Sequence, residues 1–122
     1  MSDLGEPYIP ASESPKELTL RVVVVGIILG ILMTAANAYL GLYAGMTVSA
    51  SIPAAVMSMI ILRTLFSDVS ILENNAVQTM ASAGESLAAG IIFTVPALLV
   101  IGIWQDIQWL DTMIIALLGG LL

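Results

Sequence analysis

Two carboxylates, Glu73 and Glu85, and four amides and hydroxyls, Asn37, Asn74, Gln78 and Ser82, stand in otherwise apolar sequence where few groups can carry chemistry. On a helix advancing 100° per residue, Asn74, Gln78 and Glu85 fall within about 40° of one another, with Ser82 about 60° from Glu85. One face of that helix is therefore hydrophilic. Polar groups at membrane depth turn toward a bundle interior or a water-filled path, and a carboxylate there is a candidate for handling protons or substrate. Glu85, on that face, is such a candidate. The alternative for Glu85 is a hydrated, structural place at the interface, if the span begins only at Ser86.

Other chemistries fall to inventory. The chain has no Cys and no His, which excludes disulfides, zinc sites and thiol or imidazole catalysis within it. Its Ser and carboxylates have no recognisable catalytic spacing, so no enzyme, metal site or cofactor is expected. Three Lys and Arg against nine Asp and Glu leave no basic footprint for nucleic acid.

These side chains need a membrane bundle to position them. Of 122 residues, 59% are hydrophobic and 10% charged, where soluble domains carry about 25% charged residues. No ionisable residue lies between Arg21 and Arg63, and a second uncharged stretch runs from Ser86 to Gln105. A ~30 Å hydrocarbon layer asks for about 20 such residues per spanning helix. The expected fold is an all-α polytopic transmembrane helix bundle, with spans over about 18–43, 52–66 and 72–103 and the start of a fourth at 111–122. Residues 1–17, with Pro7, Pro10, Pro15 and several acids, form a polar tail, and 18–122 the N-terminal helices of a larger protein.

The run after Arg21 would be roughly 60 Å long as one helix, so it must break. Gly41, Ala44, Gly45, Thr47, Ser49 and Ser51 form a small, polar-flecked stretch, and Pro53 suits the first turn of a new helix. Two readings stay open: a plain turn at the membrane surface, or a discontinuous helix of the kind that builds binding sites in secondary transporters. The spacings Gly26-x-x-x-Gly30 and Gly41-x-x-x-Gly45 let helices approach closely. Asn37 lies among them and needs a hydrogen-bond partner. The third element, about 45 Å as one helix, must tilt strongly, project or be interrupted, and Ala81-Ser82-Ala83-Gly84 is the place for any interruption. Lys16 and Arg21 before the first span and Arg63 at the end of the second put the N-terminus in the cytoplasm. The uncharged-to-acidic loop 104–111, with Trp104 and Trp109, then falls on the outer face.

Longer runs carry a resemblance. Tyr8-Ile9-Pro10-Ala11-Ser12 and Glu17-Leu18-Thr19-Leu20-Arg21 read like the lead-in of the oligopeptide transporter family, in its prokaryotic branch related to the yellow stripe-like metal-chelate transporters. Asn37-Ala38-Tyr39-Leu40-Gly41-Leu42, Ala44-Gly45-Met46-Thr47 and Ala50-Ser51-Ile52-Pro53-Ala54-Ala55-Val56 resemble its first block. Glu73-Asn74-Asn75-Ala76-Val77-Gln78-Thr79 and Ala81-Ser82-Ala83-Gly84-Glu85-Ser86 resemble its second. One departure is Tyr43, where many members carry Lys. The resemblance implies a proton-coupled carrier of many more spans in a bacterial or archaeal plasma membrane, in which Glu85 and Glu73 are the proton-coupling candidates and Asn37, Asn74, Gln78 and Ser82 line or brace the substrate path. Its substrates would be small peptides or peptide-like metal chelates, and its partners the lipid bilayer and the remaining helices. The competing reading is a small structural or channel-like membrane subunit with no transport of its own.

Overall fold

Thr19 starts the first helix by accepting a hydrogen bond from the Val22 amide on its Oγ1, at 3.4 Å. The computed structural model describes residues 5, 7 and 9–122. It has four helices in chain order: α1 Leu20–Ala44, α2 Ser51–Leu65, α3 Ile71–Val100 and α4 Trp109–Leu121. The polar tail expected over 1–17 lies partly outside the described residues, at 1–4, 6 and 8. Each helix agrees with its expected span to within three residues at either end.

Glycine plays two roles that a single spacing motif conflates. Gly26, Gly30 and Gly41 turn toward α3: a Cβ at Gly26 would meet Met80 at 2.6 Å, one at Gly30 the Met80 carbonyl oxygen at 3.6 Å, and one at Gly41 the Ile92 side chain at 2.8 Å. Close backbone approach is what these positions supply. Gly45 instead ends α1 in the left-handed conformation, φ 68°, with its N–H on the Gly41 carbonyl at 2.9 Å. The second glycine pair is thus one packing residue and one cap.

Of the three possibilities open for the long third element, interruption at Ala81–Gly84 is not the one taken, since α3 is continuous from Ile71 to Val100. The small residues there serve proximity: a Cβ at Gly84 would collide with Thr34 Oγ1 and reach the Gly30 carbonyl at 3.2 Å. α3 also continues through Pro96, whose missing N–H frees one carbonyl of the preceding turn. Bundles in lipid tolerate this by re-satisfying the freed group locally.

α1 and α3 run parallel, as the pairings Arg21 with Glu73, Gly26 with Met80 and Gly41 with Ile92 require. α2 returns antiparallel to α3, placing Ser51 at Ser82 and Ser58 at Asn74. Val22, Val25, Leu29, Ala54, Leu62, Val77 and Ala81 make the core between these three helices. The outer faces stay apolar: Ile27, Ile28, Ile31 and Leu32 are exposed on α1, and α4 buries none of its residues. Such contiguous apolar surface belongs against lipid or further helices.

By length and apolarity α1 and α3 can each cross a bilayer, whereas α2 and α4 are shorter. Fifteen residues of α2 rise only about 22 Å, short of a ~30 Å core. The expectation of three full helical spans is met by two.

Candidate functional site

One end of the bundle is tied by an ion pair. Glu73 is the third residue of α3 and forms a capping box with Ser70: the Ser70 Oγ accepts from the Glu73 amide, and Glu73 Oε2 accepts from the Ser70 amide, both at 3.2 Å. From α1, Arg21 donates to both oxygens of Glu73, its Nη2 at 2.8 Å from each and its Nε at 3.0 Å from Oε1. Thr19 Oγ1 adds a further donor at 3.0 Å. Arg21 Nη2 also reaches the Asp68 carbonyl at 2.6 Å, and the guanidinium stacks over Phe66, 5.0 Å from the ring centre. Glu73 is 2% exposed, so its charge is held almost wholly by these partners. The cluster ties the start of α1 to the start of α3 and to the α2–α3 turn.

The chain between α1 and α2 does not stay at the end of the bundle where α1 stops. Asn37 lies eight residues before Gly45, about 12 Å back along α1. Its Oδ1 nevertheless accepts from the Val48 amide at 3.1 Å. After the Gly45 cap, residues 46–50 therefore run back beside α1 as non-helical chain. The helix resumes at Ser51, whose Oγ is 2.9 Å from Ser82 Oγ. Ser82 is eleven residues into α3, roughly 16 Å from its start, so α2 begins near the middle of the bundle's depth. A non-helical stretch at that depth is tolerated only where protein or a water-filled cavity covers it. Of the two readings of this break, the geometry matches the discontinuous helix.

The N-terminus of α2 is open. Its capping position is Ala50, which has no side-chain acceptor, and Pro53 follows within the first turn. Beside it, Met33, Ala36, Asn37, Leu40, Val48, Ser49, Ala50 and Pro53 line a cavity of about 130 Å³. Asn37 is 5% exposed, and its Nδ2 has no hydrogen-bond partner among the described residues.

The hydrophilic face of α3 is turned to α2. Asn74 Oδ1 accepts from Ser58 Oγ, itself fully buried, and Ser82 meets Ser51. Gln78 and Glu85 are half-buried, and Glu85 has no hydrogen-bond partner among the described residues. The structure thus brings Asn74 and Ser82 together with α2 and sets Asn37 at the break, while Glu73 is drawn off into the ion pair. Among the described residues no group of three or more His, Cys, Asp or Glu lies close enough to hold a metal.

Arg21, Thr19, Ser51, Ser58 and the Val48 amide are the partners that residue spacing does not reveal. Arg21 alone carried a usable signal, as a cation entering a span with an acid at the start of another.

Residues 17–122 match the family described as OPT oligopeptide transporter protein. The chain is also similar to a Haemophilus influenzae protein named as a candidate oligopeptide transporter, 52% identical over 84 residues. That match covers 69% of this chain and 13% of the relative's length, so the chain corresponds to a small part of it. No solved structure matches the chain.

Proposed function

Because the chain belongs to the oligopeptide transporter family, we propose that it supplies the N-terminal helices of a secondary carrier for oligopeptides or peptide-like metal chelates, driven by protons. The observation that carries this reading is the broken second crossing beside a polar helix face. Substrate and ion sites of secondary transporters are commonly built at mid-depth from discontinuous helices, whose free backbone groups face the cargo. In this reading the second crossing is made jointly by residues 46–50 and α2, so the chain crosses the membrane three times before α4. Lys16, Arg21 and Arg63 then lie on the cytoplasmic side of the plasma membrane.

Within that carrier, Asn37, Asn74, Gln78 and Ser82 line or brace the path, with Ser51 and Ser58 opposite them. Glu85 is the carboxylate assigned to proton coupling, since it is half-buried on the path face with no competing partner. Glu73 takes part only if its ion pair with Arg21 opens during the cycle. The test is uptake of labelled peptides and of a ferric chelate into vesicles holding the full-length carrier, with and without an inward proton gradient, for wild type and Glu85→Gln. Gradient-driven uptake lost in a folded Glu85→Gln supports the assignment. Unchanged uptake returns Glu85 to a structural role.

A further inference from the structure

We infer that the open N-terminus of α2 and the Asn37 amide form a subsite for a carboxylate of the cargo. The inference rests on the transport reading above and names the part of the substrate that is gripped. Two independent features converge on one cavity. The first is the start of a fifteen-residue helix at mid-depth, uncapped at Ala50, where the helix dipole places roughly half a positive charge. The second is Asn37, nineteen-twentieths buried, which lines the same cavity with Ser49, Ala50 and Pro53 and has Nδ2 unpartnered.

The chemistry of the donors selects the ligand. Asn37 Oδ1 is already occupied by the Val48 amide, so what remains at Asn37 is an N–H donor. Of the first turn of α2, Pro53 has no N–H and the Ala54 N–H bonds the Ala50 carbonyl, so the free backbone donors are those of Ser51 and Ile52, at the rim of the cavity that Ala50 and Pro53 line; the buried Asn37 donor without an acceptor costs about 1–3 kcal/mol. No Asp, Glu, Lys or Arg lines the cavity, which leaves the donors and the dipole to set its preference. An oxyanion without a tightly bound counter-cation answers all of these features. At about 130 Å³ and open on one side, the cavity has room for a carboxylate and its neighbouring atoms, with the rest of the cargo lying outside it. The same carboxylate chemistry is found at the C-terminus of a peptide and on a polycarboxylate metal chelate.

The experiment measures binding and uptake by the full-length carrier for one tripeptide as free acid and as C-terminal amide. A ferric chelate that carries one carboxylate not bound to the metal is tested with that group free and with it esterified. Hydrogen bonds to a charged group predict that wild type prefers the free acid by about tenfold or more, seen in uptake and in thermal stabilisation of the purified protein. In Asn37→Asp, which keeps the side-chain shape but replaces the donor with a second acceptor, that ratio should fall toward one. If Asn37→Asp does not fold, the wild-type acid-to-amide ratio decides alone. A preference confined to the chelate assigns the carboxylate to that source, and one confined to the peptide to its C-terminus. Equal handling of acid and amide, and of free and esterified chelate, overturns the subsite while leaving transport intact. Failure to bind or carry any of the four overturns the transport reading, and the subsite with it.

Discussion

Removing Arg21 should harm this bundle more than removing Glu73, although each loses the same ion pair. The side chain of Glu73 is 3% exposed and that of Arg21 is 27% exposed. In Arg21→Ala, a carboxylate stays buried with only Thr19 and the Ser70 amide to hold it, and the loss for breaking such a pair is about 3–5 kcal/mol. In Glu73→Ala, the guanidinium keeps the Asp68 carbonyl and the Phe66 ring and turns its free edge to water. What remains is the capping box, about 1 kcal/mol, and the lost charged hydrogen bonds, so the cost is about 2 kcal/mol. Ser70→Ala, which removes the cap but spares the pair, isolates the first of these at about 1 kcal/mol. The assay is unfolding of the full-length protein in mixed micelles, with Arg21→Ala, Glu73→Ala and the double variant closing a cycle. The double variant should be less damaged than the sum, because with both charges gone no buried ion is stranded. Equal losses for the two single variants, or strict additivity, would refute the reasoning.

Two further predictions concern packing and topology. Gly84→Ala should destabilise by about 1–3 kcal/mol through its collision with Thr34 and the Gly30 carbonyl, whereas Gly90→Ala, with nothing within 4 Å, should be neutral or stabilising by up to about 1 kcal/mol; equal effects on melting would sink the close-approach account. These 122 residues hold no Cys, so in a full-length carrier freed of Cys elsewhere single cysteines report sidedness: Lys16→Cys and Ser67→Cys should label from one side of sealed vesicles and Gln105→Cys from the other. Labelling of all three from one side would mean that α1 and α3 do not cross.

Much of this protein was legible before any coordinates. Uncharged runs longer than a bilayer is thick demand helices in lipid, because an unsatisfied backbone there is prohibitive. Gly45 in the small-residue stretch and Pro53 beyond it mark the end of one helix and the first turn of the next through local backbone chemistry, and both stand there. The polar face from Asn74 to Ser82 follows from helical periodicity alone. Long ordered runs also carried the family, which the match over residues 17–122 bears out.

Tertiary structure decided who meets whom. Periodicity assigns Asn74 and Ser82 to a face but says nothing of Ser58 and Ser51, which reach them from another helix. Glu73 sits on the same helix as the stripe, yet Arg21, 52 positions earlier, claims it, since two charges in low dielectric are held by each other before anything else. The depth of the break was likewise beyond local sequence: Gly45 and Pro53 permit either a surface turn or a re-entrant non-helical segment. The bond from the Val48 amide to Asn37 draws residues 46–50 back alongside α1. A buried amide takes whatever partner packing brings within 3 Å, and only the folded chain specifies which one that is.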